Sequence, residues 1–274
     1  MLPAARLDAL ETFLIELNGL AADVILPLFR ADHWLEDKNA HKSSEGGTFD
    51  PVTAADRGAE SAIRTALAKR HPDHGVIGEE YGEDRPDAEF VWVIDPIDGT
   101  RAFIAGLPVW TTLIGLRHEG EPVLGSIGQP YLDEIYIGHA GGARLLSHGA
   151  SRPLAVRRGV PLSRAIIATT DPRACFNRAE LAAWNQVVDA ARLARLGCDA
   201  YAYAMVAAGT IDLVIEAGLK AWDIEAAIPL IAGAGGLVTD WRGAAVGRQG
   251  GQVVIAGDKS LLGQALAALA PAAA

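Results

Sequence analysis

Cysteine is scarce: Cys175 and Cys198 are the only two in 274 residues. They form no Cys-x-x-Cys pair and have no metal-ligand spacing, which argues against a thiolate metal centre or a disulfide framework. Two small buried side chains in a reducing compartment are expected instead. Long apolar runs are missing too. No stretch approaches the roughly 20 residues of a membrane span. Asp8, Glu11 and Glu16 break the first apolar stretch, so no secretory leader is expected there. Positive charge is short: 24 Lys and Arg face 34 Asp and Glu, a formal net charge of −10 without a long basic run. That balance argues against binding nucleic acid or an anionic membrane by charge alone. The expectation is a soluble, cytoplasmic protein.

What is present is apolar periodicity. Half of the residues are hydrophobic, enough for a real core. Leu7, Leu10, Leu14, Leu17, Leu20, Val24 and Leu28 carry helical spacing over residues 7–30. Thr53 followed by Asp56 resembles a capping box for a helix to about Arg70. Residues 76–78 and 90–94 are strands ending at Glu79 and Asp95. His71 and His74, just before the first of these, are expected in a surface loop. A short helix follows Thr100, then an antiparallel meander from Thr111 to Ile137.

Near residue 150 the organisation changes, so residues 1–150 read as an α+β half and 151–274 as an α/β half. Strands are expected at residues 165–168, 211–215, 237–239 and 253–256, and helices at 178–196, 201–208 and 223–231. The final Ala-Pro-Ala-Ala-Ala is expected to fray.

The sharpest local feature is Asp95-Pro96-Ile97-Asp98-Gly99-Thr100. Two acids stand three apart, directly after an apolar strand. Pro96 fixes one dihedral and Gly99 permits a tight turn, so both carboxylates can converge on one point. A hard cation such as Mg²⁺ takes oxygen ligands of this kind. The Gly99 and Thr100 N–H groups at a helix start suit phosphate. Gly78-Glu79-Glu80, Trp222-Asp223 and Asp56 are ordinary acidic turns or helix starts when taken singly.

Taken together and in order, these pieces resemble the inositol monophosphatase superfamily. The matching stretches are residues 50–56 (Asp-Pro-Val-Thr-Ala-Ala-Asp), 78–80, 92–100 and 222–227 (Trp-Asp-Ile-Glu-Ala-Ala), and the likeness spans roughly residues 8–262. The resemblance implies a layered αβαβα sandwich, with an antiparallel sheet in the first half and a mixed sheet in the second. It implies a phosphomonoesterase dependent on two or three Mg²⁺. Glu79, Asp95 and the Ile97 carbonyl would hold one metal, and Asp95, Asp98 and Asp223 another. Asp56 and Thr100, as a hydrogen-bonded pair, would act with Glu79 on the attacking water, while Gly99 and Thr100 bind phosphate. The family's loop lysine falls on Lys38 or Lys42, with no choice between them. A homodimer acting on a small phosphorylated metabolite is implied.

Within the superfamily, residues 101–106 (Arg-Ala-Phe-Ile-Ala-Gly), 197–203 and 214–223 look like the histidinol-phosphatase branch. Asp199 and Glu216 match substrate-facing positions, and two acids complement the ammonium and imidazole of histidinol phosphate. Arg101 joins them as a candidate contact. Gly128 departs from the branch, which carries an acid there. Hydrolysis of inositol 1-phosphate or of other sugar and polyol phosphates is the alternative. A regulator without activity would have lost one of Asp56, Glu79, Asp95, Asp98, Thr100 or Asp223, and all are present.

Overall fold

Helix α1 (Ala4–Ile25) turns Leu10, Phe13, Leu14, Leu17, Ala21 and Ile25 inward, the stripe its spacing predicts. It packs along α2 (Pro51–Arg70) in a computed structural model that describes residues 2–31 and 51–274. Because α2 begins at Pro51, Thr53 and Asp56 lie inside it and do not cap it. Proline suits a first helical position, having no N–H to leave unsatisfied. The candidate lysines Lys38 and Lys42, and Asp50 of the first motif, lie outside the described residues.

The first sheet has strand order β2-β1-β3-β4-β5-β6-β7-β8. Its strands are β1 (Gly75–Gly78), β2 (Gly82–Asp84), β3 (Phe90–Asp98), β4 (Thr111–His118), β5 (Glu121–Gln129), β6 (Glu134–His139), β7 (Gly142–Ser147) and β8 (Ala150–Pro153). All neighbours are antiparallel except β1 and β3. Helix α3 (Thr100–Ile104) follows β3. The second sheet is mixed, in the order β10-β9-β11-β13-β12. It comprises β9 (Ile166–Thr169), β10 (Leu193–Leu196), β11 (Leu213–Leu219), β12 (Leu237–Thr239) and β13 (Gly251–Ala256). Helices α4 (Pro172–Cys175), α5 (Arg178–Ala190), α6 (Tyr201–Ala207), α7 (Ala221–Ile224), α8 (Ala227–Gly233) and α9 (Lys259–Leu269) complete it.

Three cores make the layers. One joins α1 and α2 to the first sheet through Leu14, Ile63, Trp92 and Ile94. A second joins the two sheets across α6 and α8 through Leu113, Tyr136, Val206, Leu230 and Ile255. A third covers the far face of the second sheet with α5 and α9 through Trp184, Ile215 and Leu261. The expected αβαβα sandwich is what these residues build.

A track of glycines sets how closely α7 and α8 approach the first sheet. Gly115, Gly125 and Gly138 are cross-strand neighbours on β4, β5 and β6. A Cβ on Gly125 would collide with the Ala226 backbone, one on Gly138 with Leu230, and one on Gly115 would come within 3.2 Å of Ala226. Without those side chains the helix backbone lies directly on the sheet.

Five expectations are corrected. The helix read over 178–196 stops at Ala190, and Leu193–Leu196 is a strand parallel to β9, since short apolar runs carry no period that separates strand from helix. The helix read over 223–231 is two, α7 and α8. The C-terminus is docked: Gln252 donates to the Ala272 carbonyl and accepts from the Ala274 N–H, both at 2.8 Å. His74 is a core residue, 4% exposed, and its Nδ1 accepts from the Trp92 indole at 3.0 Å. Cys175 and Cys198 are free thiols, half-buried rather than fully buried.

Candidate active site

Strand β3 delivers the central acids. Its register against β4 passes from Asp95↔Leu113 to Asp98↔Thr111, so β3 carries one extra residue in a bulge. Thr112 Oγ1 fixes the bulge by donating to the Pro96 carbonyl at 2.8 Å. Asp223, in the first turn of α7, reaches the same point from the second half. One oxygen each of Asp95, Asp98 and Asp223 lies within 4.8 Å of the others. Asp98 is oriented by the Ala200 N–H at 2.6 Å, and Asp223 by the Lys220 N–H at 2.7 Å.

Glu79 leaves the end of β1 beside β3, its N–H donating to the Ile94 carbonyl at 3.2 Å, and its carboxyl is within hydrogen-bonding reach of Asp95. Asp56 comes from α2, 5% exposed, and lies beside the Ile97 N–H, which favours its ionised form. The expected Asp56–Thr100 hydrogen bond is not formed: the Thr100 hydroxyl donates to the Ile97 carbonyl at 3.4 Å. Gly99, at φ +83°, turns the chain into α3 and leaves its own N–H and that of Thr100 without a protein acceptor among the described residues. The Ile97 side chain is buried and only its backbone faces this group.

So many acids in one place resist ionisation. Burial, and then the charges of Glu79, Asp98, Asp223 and Asp56, push Asp95 well above the usual carboxylate range. Asp98 is raised by burial and then by Asp199. Burial, followed by Glu79, Glu80 and Glu60, pushes Asp56 up to about 8. Glu79 and Asp223 are also raised, chiefly by burial. Asp95, 2% exposed, and Asp56 each keep a buried Oδ1 with no hydrogen-bond partner. A buried carboxylate oxygen without a partner is costly unless a cation meets it. All donors here are hard oxygens, so the set fits divalent Mg²⁺ chemistry.

Beside the acids lies a cavity of 330 Å³ bordered by Arg101, Ala102, Leu107, Thr170, Asp171, Leu196, Gly197 and Asp199. Asp199 holds a left-handed backbone, φ +44°, and its carboxyl packs close against Gly99, where a Cβ would come within 2.9 Å of Oδ2. Burial raises Asp199, while Thr170 and Arg101 oppose the shift. Arg101 lines the cavity and pairs with Asp171 at 2.9 Å. Glu216 is elsewhere: 1% exposed on β11, it accepts from Thr169 Oγ1 at 3.1 Å and from the Thr170 N–H and hydroxyl at 2.9 and 3.0 Å. Its carboxyl, pushed up to about 8 by burial, holds the Thr170 turn and does not line the cavity.

Glu60 plays a part that motif reading missed. It is 0% exposed and accepts from the Glu80 N–H at 2.9 Å and the Tyr81 N–H at 3.3 Å. It also pairs with Arg64 at 2.7 Å, and Arg64 donates to the Gly82 carbonyl. A Cβ on Gly78 would strike the Glu60 carboxyl, which is why the turn bearing Glu79 starts with glycine. The signal was available: Glu60 lies one helical turn after Asp56.

A five-layer sandwich with converging acids at the seam between its sheets defines a class before any comparison. The chain belongs to the inositol monophosphatase family, whose model matches residues 7–273. It is 39% identical over 273 residues to a bifunctional phosphatase, IMPL2, named as chloroplastic, of Arabidopsis thaliana, covering 95% of this chain and 75% of the relative. A histidinol-phosphatase of Chlorobaculum parvum is 34% identical, covering 70% of this chain and 73% of its own. An inositol-1-monophosphatase of Mesorhizobium japonicum is 36% identical, covering 72% and 74%. Among solved structures, an inositol monophosphatase from Zymomonas mobilis superposes with a TM-score of 0.82 at 38% identity, covering 93% of this chain and 95% of that one. The family is one of phosphatases.

Proposed function

We propose that this chain is a Mg²⁺-dependent phosphomonoesterase that hydrolyses L-histidinol phosphate to L-histidinol and phosphate, a step of histidine biosynthesis. The observation that carries the metal dependence is the convergence of Asp95, Asp98 and Asp223, with a buried Asp95 oxygen lacking any partner. Asp95, Asp98, Asp223, Glu79 and the Ile97 carbonyl are the groups that would hold the cations. Bound there, the ions supply positive charge to the phosphate oxygens and acidify water.

The chain's own residues do the rest. In the metal-free chain burial and acidic neighbours push Asp56 up to about 8, so it carries its proton at neutral pH; with cations offsetting those charges it would ionise and present a proton acceptor beside the β3 bulge. Together with Glu79 it takes the proton of the attacking water. The N–H groups of Gly99 and Thr100 bind phosphate oxygens. Asp199 sits between those N–H groups and the 330 Å³ cavity, where the leaving alcohol belongs.

Overall identity does not choose the substrate, because relatives named for histidinol and inositol phosphates stand at 34% and 36%. The charge around the cavity is what supports the reading. Asp199 borders it, Glu216 steadies the Thr170 turn beneath it, and Arg101 is neutralised by Asp171. A cationic alcohol gains from that surface and a neutral polyol does not. Steady-state kinetics on L-histidinol phosphate and inositol 1-phosphate test this. The expected kcat/KM favours histidinol phosphate, and Asp199→Ala lowers it about tenfold or more on that substrate alone, one lost charge-assisted contact. Equal losses on both substrates would sink the assignment.

A further inference from the structure

The arginines of this acidic chain gather far from the acids. Arg157, Arg158, Arg164 and Arg192 line a cavity of 240 Å³ completed by Gly159, Val160 and Pro161, and no carboxylate lines it. Two of the four are engaged. Arg157 makes a two-pronged pair with buried Asp212 at 2.7 and 2.5 Å. Arg158 donates to the Gly235 carbonyl at 3.1 Å and lies near Asp258, which accepts the Gly159 N–H. The guanidinium groups of Arg164 and Arg192 have no hydrogen-bond or ion-pair partner among the described residues.

The segments bearing these side chains are fixed. Asp212 also accepts the Ile166 N–H at 2.7 Å, which ties Arg157 to the start of β9. Gln264 accepts the Leu162 N–H at 3.2 Å, anchoring the turn that ends at Arg164. The Arg192 N–H donates to the Ala165 carbonyl at 3.1 Å. Strands β9 and β10 are parallel, with Leu193 opposite Ile166 and Leu196 opposite Thr169. Their starts border the arginine cavity, and their ends lead to Thr170 and Gly197 in the acid-side cavity. About 13 Å of strand separates the two.

We propose that this cavity is a second, non-catalytic site for a phosphate dianion, carried by inorganic phosphate or by a phosphomonoester. Two uncompensated guanidinium groups match the dianion's charge, and their planar forks match its oxygens. The overall charge of −10 disfavours anions generally, so recognition must come from this local geometry.

Binding calorimetry on the full chain in chelator tests it, with inorganic phosphate and glycerol 2-phosphate as separate probes. Without divalent metal the catalytic acids repel both. One site per chain is expected, weakening steeply with salt. Arg164→Ala with Arg192→Ala should weaken binding at least tenfold and leave kcat in Mg²⁺ within twofold, whereas Arg101→Ala should leave binding unchanged. The corresponding double Lys variant should be intermediate, since it keeps charge and loses the fork. Binding of one probe alone supports the site and identifies its source. No binding to the wild type, equal binding by the double Ala variant, or loss in Arg101→Ala would overturn it.

Discussion

Packing alone gives Asp95 no place at the end of an apolar strand. It follows Phe90, Val91, Trp92, Val93 and Ile94, all buried, and is itself buried with an oxygen unpaired. Its cost is set by its neighbours, since Glu79, Asp98 and Asp223 each hinder its ionisation. Asp95→Asn removes one member of that repelling group. In chelator the variant is expected to melt higher than the wild type. In Mg²⁺ its metal affinity should fall by at least the roughly 10–100-fold seen for groups that only support a metal ligand. Thermal denaturation with and without Mg²⁺ checks both halves, and a lower melting point in chelator would contradict the account. The acids at this scale were legible because their chemistry fixes residue type and spacing. Their partners were not. Nothing in the sequence places Glu216 against Thr169 and Thr170, because those contacts depend on how β9 and β11 pair, and the Thr100 hydroxyl turns to the Ile97 carbonyl three residues back through the local geometry of the bulge.

At the scale of elements, the site depends on two devices that bear no ligand. One is Glu60, whose carboxyl collects the Glu80 and Tyr81 N–H groups and so fixes the turn that presents Glu79. Glu60→Ala removes the acceptor shared by those part-buried donors and should loosen Glu79. The Mg²⁺ concentration for half-maximal activity is expected to rise about tenfold, with a stability loss of about 1 kcal/mol. Glu60→Gln keeps an acceptor and should recover part of both. A stability loss with unchanged metal dependence would make Glu60 structural only. The other device is the glycine track on β4, β5 and β6, which seats α7 and thereby Asp223. Neither device announces itself as a motif. Apolar pattern showed the long elements α1, α2, β3, β4 and β5, and also short ones such as β1, β9, α6, β12 and β13. It missed β2, whose residues are all exposed, and the short β7–β8 hairpin, and it ran α5 into β10, where apolar residues continue across a change of structure.

For the molecule as a whole, the acids form the seam. Asp56, Glu79, Asp95 and Asp98 belong to the first sheet and its helices, while Asp199, Glu216 and Asp223 come from the second half. Folding therefore brings negative charge together across the layers, and stability must answer to both pH and metal. Asp56 and Glu216 are each pushed up to about 8, chiefly by burial. The folded chain holds these protons to higher pH than the unfolded chain, in which both acids titrate near pH 4. The stabilisation is thus fully present below about pH 4 and is lost as pH rises through about 8. His74 has the opposite sign. Burial, then the charge of His71, lowers it to about 4, so its contribution is lost as pH falls from 6.5 through about 4. Measurements between pH 6.5 and 8 leave His74 neutral and stay below the range in which the two thiols raised by burial, Cys175 and Cys198, contribute. In chelator the melting temperature is expected to fall across that range, by several degrees if about 2 kcal/mol is lost. With Mg²⁺ at a hundred times its dissociation constant, binding to the folded chain alone adds about 2.7 kcal/mol and favours the ionised acids, so the fall should shrink or reverse. A melting temperature that falls equally with and without Mg²⁺ would mean that the seam is not where the metal binds.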